Sequence, residues 1–158
     1  MIKYMKKIFS MCVFFLLLQD CGYTPIYSQD QKLDYYIEEI SFNDEDPDLV
    51  FFIRDNLKNY LIKNDNQKFK ISAIVNYSKS SISKNSAGDT DEYELSSIIE
   101  FIISSEKKQK KLKIKETLRI KNLDDEFEEK NYERNVKKNM ARSITSKLLI
   151  QLSRFNDN

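Results

Sequence analysis

Histidine is absent from this chain of 158 residues, and glycine, proline and cysteine occur only twice each. Without histidine, the chain has no Ser–His–Asp or Cys–His catalytic arrangement and no histidine-ligated metal site. With glycine only at Gly22 and Gly88, it can form neither a phosphate-binding P-loop nor a dinucleotide-binding turn. The carboxylates follow no spacing typical of an active site. The sequence therefore predicts a protein that is not an enzyme and that holds no metal or cofactor.

The chain nevertheless has enough apolar residues for a folded core. Hydrophobic residues make up 41% of it, with 10 Phe and 9 Tyr, and charged residues make up 32%. These fractions are typical of one well-solvated globular domain and not of a disordered chain. Beyond the first 20 residues, the chain has 23 cationic and 24 anionic residues. A nearly neutral domain argues against bulk binding of nucleic acid.

The N-terminus has the features of a secretory signal peptide. Residues 1–7 are cationic, and an apolar run of 11 residues, 8–18, follows them. Signal peptides contain an apolar run of this length, whereas a membrane-spanning helix needs about 20 apolar residues. A signal anchor lengthened by residues 2–5 is the alternative, which Lys3, Lys6 and Lys7 disfavour. Residues 1–20 are therefore predicted to be a cleaved leader.

The two cysteines fall on either side of the predicted cleavage site. Cys12 would leave with the leader, so the mature chain has one cysteine, Cys21, at its first position and no internal disulfide. A lone cysteine there is typical of a bacterial lipoprotein, whose acyl chains anchor it by about 0.8 kcal/mol per buried CH₂. Gln19 and Asp20 stand where such signals usually carry small residues. The sequence predicts lipid attachment at Cys21 behind an atypical cleavage site.

The chain after the leader opens with CGYTPIYS, which contains Cys21, Gly22, Tyr23, Pro25 and Tyr27. This stretch resembles the opening of the lipopolysaccharide-assembly lipoproteins, the LptE family, which typically begin with Cys-Gly-aromatic-x-Pro-Leu-Tyr. Ile26 stands where that pattern has leucine. Gly22 and Pro25 also favour an extended conformation that leads away from a bilayer. Residues 21–32 are therefore predicted to be a tether.

Hydrophobic patterns predict a single domain behind the tether, residues 33–158. Residues 33–42 are rich in aromatic and branched side chains and predict a strand, whose imperfect alternation indicates a bulge or burial on both faces. Asp46 and Pro47 form a helix start signal. Apolar residues at four-residue spacing then predict a helix over residues 47–63.

Three alternating segments, residues 68–83, 92–106 and 112–120, predict strands in an antiparallel meander. An apolar stripe then predicts a long amphipathic helix over residues 131–155, packed on the sheet with cations such as Lys137 toward solvent. A helix lying on a membrane is the alternative. The order β-α-β-β-β-α predicts an α+β two-layer sandwich, with two helices on a mainly antiparallel four-stranded sheet.

One face of the last predicted strand is a candidate site for anions. Opposite its apolar face it carries cations, among them Lys113, Lys115 and Arg119, which can meet phosphates or carboxylates if no helix covers them. The alternative is a structural role, because three carboxylates on the preceding strand can pair with them across the sheet. These carboxylates are Glu92, Glu94 and Glu100.

The resemblance to LptE implies a function and its partners. Members of that family sit as a plug inside a large outer-membrane β-barrel, help it assemble and help lipopolysaccharide reach the cell surface. For this chain the resemblance implies a lipid anchor at Cys21, a place on the periplasmic side of the outer membrane, and one copy per barrel. Lys113, Lys115 and Arg119 are predicted from the strand pattern as contacts for lipopolysaccharide and are not positions of the family.

Two other functions fit the same sequence. An accessory lipoprotein of another envelope transport system would have a similar architecture and no barrel partner, so co-purification with a barrel separates the two. A small exported hydrolase would use carboxylates such as Asp124 and Asp125. The pattern places these two in the loop before the last helix, where they would instead help that helix to start.

Overall fold

Alternating apolar residues form four strands in the computed structural model, and two apolar stripes form helices. The structure describes residues 35–43, 46–63 and 67–155. The strands are β1 (Tyr35–Asn43), β2 (Gln67–Lys84), β3 (Thr90–Ser104) and β4 (Gln109–Lys121). The helices are α1 (Pro47–Leu57), which continues into a 3₁₀ turn (Lys58–Tyr60), and α2 (Glu126–Ser153). The predicted order β-α-β-β-β-α and the α+β class are confirmed.

The sheet follows the chain, in the order β1-β2-β3-β4. β1 pairs with β2 in parallel, because α1 carries the chain back between them. β2 with β3 and β3 with β4 are antiparallel hairpins, as the predicted meander requires. The register of β1 shifts between Ile37 and Glu39, which is the bulge that its imperfect alternation indicated.

Both helices begin at an aspartate cap, and their bounds differ from the predicted ones. α1 begins where the Leu49 N–H donates to the Asp46 carboxylate at 2.9 Å, and it ends at Leu57 instead of residue 63. The four-residue spacing of apolar residues predicts that Leu61 is buried with the rest of the stripe, but its side chain is 39% exposed. α2 begins five residues earlier than predicted, because the Asp125 carboxylate accepts the Glu128 N–H at 2.8 Å.

The core lies between the two helices and one face of the sheet. Phe69 stands at its centre, with its ring centroid 5.7 Å from that of Tyr35 and 5.1 Å from that of Phe155. Fully buried side chains of β3, α1 and α2 complete it, among them Leu95, Ile99, Phe101, Leu49, Ile53, Met140, Ile144 and Leu148. α2 is thus packed on the sheet as predicted. No helix among the described residues combines the length and the apolar character needed to cross a membrane.

An ionic cluster of Asp46, Tyr77, Lys79, Glu133 and Lys137 joins α1, α2 and β2. Lys137 Nζ donates to Asp46 Oδ2 at 2.7 Å and lies 3.2 Å from Glu133 Oε1. The Tyr77 hydroxyl and Lys79 Nζ donate to Glu133 at 2.8 and 3.0 Å. The sequence placed Lys137 toward solvent, and this was wrong: its side chain is only 12% exposed. α1 lies alongside this flank of α2 and brings Asp46 against it.

The cluster shifts the pKa values of its members. Burial would raise the pKa of Glu133, but hydrogen bonds from Lys79, Tyr77 and Lys137 outweigh burial and hold this pKa below its usual value. Burial would lower the pKa of Lys137, but its hydrogen bonds and charge interactions with Asp46 and Glu133 together outweigh burial and raise this pKa. Burial, followed by the hydrogen bond to Glu133, raises the pKa of Tyr77. Glu133 and Lys137 are therefore charged at neutral pH, and Tyr77 is a neutral hydrogen-bond donor.

A matched pair of isoleucines in α2 tests the placement of the core. Ile144 is fully buried and Ile150 is 41% exposed. We expect Ile144→Ala to lower the free energy of unfolding by about 2–5 kcal/mol, because it removes buried methyl groups and leaves a cavity. Ile150→Ala should lower it by less than about 1 kcal/mol. Urea unfolding of the mature protein measures both, and equal losses would contradict the predicted face of α2.

The pH dependence of the free energy of unfolding tests the ionic cluster. Because the pKa of Glu133 is lowered in the folded state, its stabilisation is present above the unfolded pKa of about 4.3 and is lost as pH falls through the folded value. Glu133→Gln should therefore cost about 1–3 kcal/mol at neutral pH and much less near pH 3. The control is Glu126→Gln, since Glu126 pairs with Lys130 while 83% exposed and should matter little at either pH. A cost for Glu133→Gln that is the same at both pH values refutes the argument.

Candidate functional site: the open face of the sheet

The side chains that alternate with the core residues form a second face of the sheet, which we call the open face. On β4, Ile114 and Ile120 are buried under α2, and the odd-numbered residues from 111 to 121 point away from it and are exposed. The structure therefore brings Lys113, Lys115 and Arg119 together on one strand face, as their spacing predicted. Within the described residues neither helix covers this face.

Carboxylates of β3 lie directly opposite two of these cations. Lys113 Nζ donates to Glu100 Oε1 at 2.8 Å, and Arg119 Nε lies 4.0 Å from Glu94 Oε2. The hydrogen bond from Lys113, together with its charge, lowers the pKa of Glu100. The side chains of Lys113 and Glu100 are 63% and 50% exposed, so solvent screens this pair and it contributes little to stability. The cross-strand pairing considered as the alternative is thus present at Lys113 and Arg119.

Lys115 has a different neighbour. It lies opposite Ile98, and within the described residues it makes no ion pair. Lys111 similarly lies opposite Ile102. Lys115 is therefore the predicted cation whose charge is most available to a ligand.

Three isoleucines, Ile74, Ile98 and Ile102, lie on the open face and form what we call the isoleucine strip. Ile74 is 42% exposed and lies opposite Glu100 across the β2–β3 pair, and the other two are half-buried. An apolar strip bordered by lysines suits a molecule with an apolar part and an anionic part. Sequence reasoning missed this strip. The signal was the run SSIIEFII in β3, in which apolar residues occupy both faces.

One of the two carboxylates considered for hydrolysis has a structural role in α2. Asp125 caps the helix, and its carboxylate accepts the Glu128 N–H. Asp124 lies in the loop before it. In the parts of the chain that the structure describes, His, Cys, Asp and Glu residues form no cluster that could hold a metal ion. Cys21, with Gln19 and Asp20 before it, lies outside the described residues.

Solved structures of bacterial lipoproteins have the same fold. Rare lipoprotein B from Shewanella oneidensis is 18% identical, with a TM-score of 0.58 over 76% of this chain and 98% of that one. An uncharacterized lipoprotein B from Nitrosomonas europaea is 15% identical, with a TM-score of 0.56 over 83% and 92%. This chain therefore shares the fold of these two solved proteins.

The likeness concerns architecture and not a ligand or partner, because identities this low show the fold alone. No family model matches the chain, and no curated protein matches it in sequence. The solved lipoproteins align over nearly their whole length, so the shared part is the complete sandwich. The fold and the open face are therefore the structural basis on which a function can be argued.

Proposed function

We propose that this chain is an outer-membrane lipoprotein that partners a large β-barrel in the assembly and translocation of lipopolysaccharide, as its plug and assembly factor. One coincidence carries the proposal: a chain that opens with the LptE-like stretch CGYTPIYS also has the fold of bacterial lipoproteins. In this proposal Cys21 carries the lipid and holds the domain on the periplasmic side of the membrane. The protein binds and positions its partners and has no catalytic role.

The open face is the surface that we assign to the barrel. The lumen wall of an outer-membrane barrel is polar, so a plug must present polar groups to it. The open face mixes cations and carboxylates with small polar side chains, among them Ser72, Asn76, Ser96 and Thr117. Its surface ion pairs cost little to exchange for pairs with a partner, because Lys113, Glu100 and Arg119 are exposed and Glu94 is only half-buried.

Lipopolysaccharide carries phosphates beside acyl chains, and the open face offers groups for both. Lys115 and Lys111 stand beside the isoleucine strip, where they can meet phosphate oxygens while an acyl chain lies on the isoleucines. Lys113 and Arg119 can add to this contact only by leaving Glu100 and Glu94. Lys115 is therefore the main lipopolysaccharide contact in this proposal.

The lipid anchor and the barrel partner are tested together in a Gram-negative host. Full-length protein with a C-terminal tag, isolated in mild detergent, should begin at acylated Cys21 by intact mass and should co-purify with one large barrel. Cys21→Ser should abolish acylation and most of the co-purification, since it removes the thiol that receives the lipid. Cys12→Ser is the matched control, because Cys12 leaves with the leader.

Two outcomes would contradict the proposal in different ways. An acylated chain that brings down no barrel from its native host favours the accessory lipoprotein of another envelope transport system. A chain that still begins at Met1 shows that Gln19 and Asp20 block processing, and the lipoprotein assignment then loses its most specific support.

Lipopolysaccharide binding is tested by a pair of lysines on the same strand. We expect Lys115→Gln to weaken binding of labelled lipopolysaccharide to the purified mature protein about 10–100-fold, the loss typical of one charge-assisted hydrogen bond. Lys113→Gln should weaken it less, because Lys113 is already engaged by Glu100. No effect of either substitution would show that the open face is not the contact surface, and equal losses would show that Lys115 is not the main contact.

A further inference from the structure

One end of the domain, which we call the tether end, is where the N-terminal segment enters it. β1 begins there at Tyr35, beside the start of β2, and the β3–β4 turn at residues 105–108 lies at the same end of the sheet. The last turns of both helical segments also lie there. The Tyr60 ring stacks on Tyr35 at 6.3 Å, and the Phe155 ring meets Phe69 at 5.1 Å. A lipid at Cys21 is therefore connected to the domain through this end.

The tether end is strongly basic and the opposite end is acidic. Among the described residues, the tether end comprises residues 35–38, 55–63, 67–70, 105–111 and 150–155, which carry nine cations and three carboxylates. The far end comprises residues 84–92 and 121–130, which carry three cations and eight carboxylates. The two ends are about 40 Å apart along β3 at the usual strand rise. Because the Debye length is about 8 Å at physiological salt, a charged surface at one end acts on that end alone.

Exposed apolar side chains accompany the cations of the tether end. Leu61 is 39% exposed and Ile62 is 67% exposed, between Lys58 and Lys63. Exposed apolar residues flanked by lysines are typical of segments that rest in a membrane interface, where the apolar part enters and the ammonium groups stay at the phosphates.

The ion pairs at this end leave its basic character intact. Lys58 pairs with Asp55 at 3.0 Å, Lys68 with Glu106 at 3.3 Å, and Lys70 with Glu38 at 3.6 Å. All six side chains are between 39% and 69% exposed, so these pairs are weak and exchangeable. Each lysine that reaches an anionic lipid surface strengthens binding about fivefold.

We propose that the tether end is a docking surface for anionic phospholipid. In the lipoprotein that has not yet met a partner, the lysines of residues 105–111 and the side chain of Ile62 rest on the headgroups, and the acidic far end points away. The 14 residues from Cys21 to Tyr35 can span about 46 Å when extended, so a lipid alone does not fix the orientation of the domain. The lipid anchor belongs to the proposed function, whereas the docking surface goes beyond it.

Labels at the two ends test the orientation. An introduced cysteine takes a label selectively, because Cys21 is the only cysteine of the mature chain and acylation blocks it. We compare an environment-sensitive fluorophore on Ile62→Cys with one on Ala87→Cys at the tip of the far end, in acylated protein on vesicles. In phosphatidylethanolamine with phosphatidylglycerol, the Ile62 label should be quenched several-fold more by a lipid-borne quencher. This difference should vanish in phosphatidylcholine or in about 0.5 M salt.

Charge variants separate docking from general attraction. Lys107→Gln with Lys111→Gln should lower the quenching of the Ile62 label at least twofold, whereas Lys138→Gln with Arg142→Gln, which removes equal charge from the exposed side of α2, should not. Equal quenching at Ile62 and Ala87, no response to phosphatidylglycerol, or equal effects of the two pairs would overturn the proposal.

The intact mass of each preparation shows separately whether Cys21 is acylated. If Cys21 carries no lipid, the protein is added to vesicles with and without phosphatidylglycerol, and its binding to the two still decides whether the tether end docks.

Discussion

Two helices are enough to bury one face of this four-stranded sheet, and the other properties of the domain depend on this one-sided burial. Phe69, Ile99 and Phe101 point toward α1 and α2, so their neighbours along each strand must point away. That alternation places Lys113, Lys115 and the isoleucine strip together on the open face. The face that α1 and α2 leave uncovered is therefore also the face with the chemistry to bind a partner.

The ionic cluster fixes how the two helices lie on the buried face. Apolar contacts alone allow helices to slide, whereas Lys137 must reach both Asp46 at the start of α1 and Glu133 one turn earlier in α2. Tyr77 connects the same carboxylate to β2. Because removing one member leaves its partners partly buried and unpaired, the cluster disfavours arrangements of the helices that separate these residues. The positions of the two ends of the domain follow from that arrangement.

Local patterns in the sequence predicted most of the fold, and contacts between distant residues account for what they missed. Alternation in β2, β3 and β4 gave the strands and the open face, because side-chain direction in a strand depends only on its neighbours. The early start of α2 had a local signal, Asp125 followed by Glu128, that the apolar stripe starting at Tyr132 concealed. The pairing of Lys137 with Asp46, 91 residues earlier, had none. The basic tether end likewise collects five separate segments and appears only once the topology is known.

Crosslinking from the two sides of the domain tests the central claim that the open face meets a barrel. Ile74 on the open face and Phe51 on α1 are both exposed apolar residues, at 42% and 58%. A photoreactive phenylalanine analogue at either position, irradiated in living Gram-negative cells, reports what lies within a few ångströms of it. We predict that position 74 forms an adduct with one large outer-membrane barrel and that position 51 does not. A barrel adduct from position 51 alone, or from neither position, would contradict the account.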